Sequence, residues 1–152
     1  MDRMEAWVRL GAELACADGS LLPEETVELA SLASSLAGMD EARAIELVRE
    51  THRRQGPDLE QVLAGLGASS PDRAIEGLRW CYRVVVADGF EHAAEVAVLR
   101  RACGALLGTQ NEERALAFLR LDHDAVRLRH DLEEAAFTAG KQIEIPGTEG
   151  RN

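Results

Sequence analysis

The sequence predicts an all-α fold, a single-domain bundle of seven or eight helices. Three observations lead there: apolar residues recur at helical spacing in segment after segment, glycine or proline punctuates nearly every segment, and no stretch alternates apolar and polar residues convincingly. With 152 residues, 46% of them apolar, the chain can bury roughly 70% of its unfolded surface in one ordinary core.

Met4, Trp7, Val8, Gly11, Leu14 and Ala15 define the apolar stripe of a first helix, which stops at Asp18-Gly19, where glycine supplies a left-handed ending. Pro23 suits the first position of a second helix. Glu24 and Glu25 follow in its dipole-favoured first turn, and Leu29, Leu32, Ala33 and Leu36 lead to Gly38. Asp40 can cap a third helix with Ile45 and Val48 inside and His52, Arg53 and Arg54 at its C-terminal end, before Gly56-Pro57 breaks it. A short fourth helix runs from Asp58 through Leu59, Val62, Leu63 and Leu66. Gly67 to Pro71 is the clearest internal punctuation, with Ser70 as a cap and Pro71 as a first helical residue.

The chain then starts again. Ala74, Ile75, Leu78, Cys81, Tyr82 and Val85 form one stripe that Asp88-Gly89 closes, and Val96, Leu99, Ala102, Cys103 and Leu106 form the next, ending at Gly108. Thr109 and Glu112 have capping-box spacing before a helix carrying Ala115, Leu116 and Leu119. Asp122 can cap a last helix with Val126, Leu132 and Ala136, ending near Gly140. Residues 1–140 are thus one domain, with halves about 3–55 and 71–121 and an added helix about 123–139. Residues 141–152 form a polar, loosely held tail in which Ile143-Glu144-Ile145 is the one candidate extended segment.

A shift of 70 residues places Ala17-Asp18-Gly19 on Ala87-Asp88-Gly89, Glu25 on Glu95, Leu29 on Leu99, Leu36 on Leu106 and Gly38 on Gly108. The register holds without a gap, which points to an internal duplication. Two copies at this period suggest two helical hairpins about a pseudo-two-fold axis rather than a solenoid.

The pattern of apolar helix, Ala-Asp-Gly, five residues, Glu and apolar helix, present twice over roughly residues 3–121, resembles the tellurite-resistance TerB-like domain, also seen in the N-terminal region of a membrane-anchored DnaJ-like co-chaperone. The matching segments are Ala17 to Glu25 and Ala87 to Glu95, and the second departs in one place, with Glu91 where an apolar residue is usual and the first copy has Leu21. The resemblance implies an all-helical domain in a family connected with tellurite and other chemical stress, suggested to bind divalent metal through acidic residues and found fused to other modules as apparent sensors or adaptors.

Two readings of the acidic turns stay open. In one, Asp18, Glu25, Asp88 and Glu95 converge as oxygen ligands for a divalent cation, magnesium, calcium or manganese rather than zinc, since His92 is the only histidine or cysteine within the two motif segments. In the other, the aspartates bond turn amides and the glutamates cap the following helices. An arginine between the two turns would neutralise the site. An EF-hand is excluded because glycine directly follows the first aspartate and Leu22 falls at position 5.

Other chemistries find little support. His123 and His130 are two helical turns apart, roughly 10 Å, too far to share one ion, and read as a solvated polar face. His52 reads as a helix-end partner. There is no Glu-x-x-His or His-Glu-x-x-His pair, no Walker or Gly-x-Gly-x-x-Gly loop and no Gly-x-Ser-x-Gly elbow, so the expected role is not enzymatic. Trp7 and Trp80 read as core anchors. A formal charge of −10 without a basic block argues against nucleic acid. No window is apolar enough to span a membrane, the N-terminus has no signal-peptide pattern, and Cys16, Cys81 and Cys103 suit reduced core thiols, so the expected compartment is the cytoplasm. Sixteen arginines against the single Lys141 fit a GC-rich bacterial genome. The expected function is a stress-response module acting through an unidentified protein partner. The alternative is a metal-independent helical interaction scaffold in which the turns only shape the fold.

Overall fold

A computed structural model describes residues 2–144, with side chains through residue 140 except those of Leu36 and Ala37. The helices are α1 (Arg3–Ala15), α2 (Pro23–Ala37), α3 (Glu41–His52), α4 (Leu59–Leu66), α5 (Pro71–Val85), α6 (Ala93–Leu107) and, after a 3-10 turn at Thr109–Asn111, α7 (Glu112–Glu144). There is no strand among the described residues. Ile143 and Glu144 belong to α7 rather than to an extended segment, while Ile145 and the rest of the tail lie outside the described residues.

The predicted caps at Asp40 and Ser70 form, and Asp58 adds another. Asp40 accepts from the Arg43 amide at 2.8 Å, and Asp58 and Gln61 satisfy each other's amides at 2.9 Å in a complete capping box. Ser70 makes a longer bond to the Arg73 amide, with Pro71 opening α5.

The centre of the bundle is α1, which packs against α2, α3, α4, α5 and α6. Its apolar stripe suggested one buried face, yet nearly the whole helix from Ala6 to Ala15 is buried. Arg9 is swallowed with it, and its guanidinium reaches Glu50 at 3.0 Å. Trp7 lies flat against the backbone of Gly77 on α5, so closely that a Cβ there would sit 2.4 Å from the indole ring. Trp80 is only partly buried, with the Arg83 guanidinium 4.6 Å above its ring, so it is a rim residue rather than a core anchor. Cys81 and Cys103 are buried free thiols and Cys16 is half-buried, and burial raises the pKa of all three.

The C-terminal region corrects the sequence reading. Thr109 belongs to the 3-10 turn rather than capping a helix, and Asp122 does not start a new helix. It lies inside α7 and accepts a 2.8 Å bond from Arg79 Nε on α5. The docked part of α7 buries Ala115, Leu116 and Leu119 against α5 and α6. Glu91 has a defined job: Arg120 of α7 grips its carboxylate with two bonds of 2.8 Å, and the Tyr82 hydroxyl donates to it at 2.5 Å. The polar residue at the usually apolar position therefore straps α7 to the second acidic turn.

Candidate metal site at the acidic turns

Both Ala-Asp-Gly segments end a helix and reverse the chain. Gly19 and Gly89 adopt φ of 84° and 91°, a region costly for other residues, which is why glycine stands in both turns. The following helices α2 and α6 begin at Pro23 and Ala93, 70 residues apart, with Glu25 and Glu95 each at the third helical position.

The aspartates serve their own turns. Asp18 Oδ1 accepts from the Ser20 amide and hydroxyl, both at 3.0 Å, and these bonds hold its pKa below the usual carboxylate range. Asp88 Oδ1 accepts from the Phe90 amide at 3.1 Å, and Oδ2 pairs with His92 Nε2 at 2.7 Å. The His92 contact is the larger cause of the lowered Asp88 pKa and reciprocally raises that of His92, with Asp18 and Glu25 adding to the field on the imidazole.

The glutamates behave differently. Glu25 is 3% exposed and Glu95 1%, unusual for residues in a first helical turn. Glu25 Oε1 accepts from the Leu22 amide at 3.0 Å, half of a capping box, since leucine has nothing to return. Among the described residues Glu95 makes no such bond: its Oε2 is buried and accepts nothing, and its carboxyl lies within hydrogen-bonding reach of that of Glu25. Burial first, then Glu25, then Asp18 and Asp88 push its pKa up to about 9. Glu95 therefore keeps its proton at neutral pH and can share it with Glu25.

Glu25, Asp18 and Asp88 thus all act on Glu95, but only the two glutamates meet. No arginine forms an ion pair with any of them among the described residues. The donor set suits a hard cation in kind, being all carboxylate oxygen with one buried oxygen unmet. Among the described residues, however, no three His, Cys, Asp or Glu side chains are arranged as a ready cage, because the aspartates are turned to their own loops. Of the histidines read as non-ligands, His123 packs edge-on against Tyr82 at 5.5 Å and His130 pairs with Glu134 along the outer face of α7.

The chain is thus an all-helical bundle with two Asp-Gly turns and a buried pair of glutamates that follow them. The family model described as Tellurite resistance protein TerB matches residues 4–119, and the chain belongs to that family. Comparison with curated proteins and with solved structures gives no match. No described helix is long and apolar enough to cross a membrane.

Proposed function

We propose that this chain is a non-enzymatic TerB-family module of a stress response related to tellurite resistance, which binds a divalent cation at its acidic turns and acts through contacts with a protein partner. The observation that carries this reading is the buried meeting of Glu25 and Glu95, with an oxygen of Glu95 left unbonded. Two carboxyls of like charge disfavour each other's ionised forms, and a hard cation between them reverses that preference. Glu25 and Glu95 would hold the ion, while Asp18 and Asp88 contribute negative potential at the rim. Magnesium, calcium or manganese suits this set better than zinc. The three unbridged thiols accord with a cytoplasmic setting.

One observation favours the metal-independent scaffold instead: Asp18, Asp88 and Glu25 already have backbone partners that explain them as turn and cap residues. Thermal melts in chelator and in separate titrations of magnesium, calcium, manganese and zinc discriminate the two. An ion at a hundred times its Kd should raise the Tm by roughly 5–10 °C in a domain of this size. The Glu25→Gln, Glu95→Gln variant should lose that rise, and Asp18→Asn, Asp88→Asn should weaken it. A native melt that no ion moves overturns the metal reading and leaves the scaffold.

A further inference from the structure

We propose that two copies of this chain associate through the free half of α7 as a parallel, in-register, two-stranded coiled coil. The helix has 33 residues, about 50 Å of rod, yet its buried side chains lie near its start, at Ala115, Leu116 and Leu119. Every residue from Asp124 to Gly140 is exposed. Phe118, Leu121, Ala125, Leu128, Leu132, Ala135 and Ala139 follow one another at alternating spacings of three and four, an unbroken heptad seam without a charged member. Phe118 is 45% exposed, and Leu121, Leu128 and Leu132 are 67–69% exposed, which is costly for large apolar side chains aligned on one face.

At 3.6 residues per turn, this seam lies on the side of α7 roughly opposite Ala115, Leu116 and Leu119. A second helix can therefore lie along it without displacing the bundle. In heptad terms Phe118, Ala125, Leu132 and Ala139 occupy a, and Leu121, Leu128 and Ala135 occupy d. In-register parallel pairing then stacks each residue on its own copy and lets the alanine layers draw the helices close.

Charge selects both the occupant and the direction. Asp124 falls at g and Arg129 at the following e, the two positions that face each other across a parallel pair, so the contact forms twice by symmetry. An antiparallel pair would instead set g against g, and the g residues Asp124 and Asp131 are both acidic. Among the described residues Arg129 otherwise has a loose 3.6 Å contact with Glu133 on its own helix.

Sedimentation equilibrium of the full chain over a wide concentration range tests this. The expected result is a reversible species of twice the 16.5 kDa chain mass. Leu128→Glu with Leu132→Glu should yield a monomer whose globular domain still melts cooperatively, because neither side chain touches the bundle. Asp124→Arg or Arg129→Asp alone should weaken the Kd about 10-fold, and the two together should restore it. A monomer at every concentration, a dimer that survives the double glutamate variant, or charge swaps that fail to compensate would each overturn the proposal.

Discussion

Replacing Trp7 with alanine is expected to destabilise the bundle by about 3–5 kcal/mol, a large part of what a domain of this size holds in total. The indole is 4% exposed on the helix that touches five others, and it rests on α5 where Gly77 leaves no side chain in the way. The same contact sets a sharper test. Alanine is favoured over glycine inside a helix by about 1 kcal/mol, so Gly77→Ala would ordinarily stabilise α5. Here its Cβ would stand 2.4–2.5 Å from three indole carbons, and a rigid ring enclosed by the core cannot step aside. Overpacking of this kind costs about 1–3 kcal/mol, enough to reverse the sign. In a Trp7→Ala background the obstacle is gone, and Gly77→Ala should become stabilising. Urea unfolding of the four chains measures this double-mutant cycle; additive effects would mean that the indole and Gly77 are not in contact.

Such a contact is invisible in the sequence, although the helices that make it are not. Helical periodicity with Asp40, Asp58, Ser70 and the glycine turns was enough to delimit α1 to α6, since caps and turns are local and their chemistry is written within four residues. The reading failed at Asp122 for a physical reason. Beside the face holding Leu116 and Leu119, which Val126 and Phe137 continue, α7 carries a second apolar stripe at Leu121, Leu128 and Leu132, and a new helix is one way to reorient a stripe. The structure uses the other way, a single rod that docks on one face and exposes a seam on the opposite one. Glu91 stood out as a departure from the repeat, but its partners Arg120 and Tyr82 are on other helices, and no local rule names them. The candidate site was legible as four residues because it is repeated. That Glu25 and Glu95 would be buried side by side was not, because a glutamate in a first helical turn is ordinarily solvated.

The burial of that pair has a second large consequence, a stability that falls as the solution becomes more alkaline. Glu95 ionises near its ordinary value of 4.5 in the unfolded chain and at about 9 in the folded one, so its contribution is fully present at acid pH and is lost as pH rises toward 9. The loss should approach on the order of 1 kcal/mol per pH unit, the value for one proton held by the folded state and released by the unfolded one. Asp18 and Asp88 act in the opposite sense, since their lowered values stabilise the fold above the ordinary carboxylate range and lose that contribution only in acid. Glu95→Gln replaces the shared proton with an amide donor that Glu25 can use at any pH. In chelator the variant should therefore lose the Glu95 part of that fall between about pH 6 and about pH 9, keep the smaller fall that His92 contributes as pH rises through its raised pKa, and exceed the native chain at the alkaline end. Urea unfolding across that range measures both curves. If they run parallel, Glu95 does not hold its proton in the fold, and the buried pair loses its role as the charge-sensitive centre of the domain.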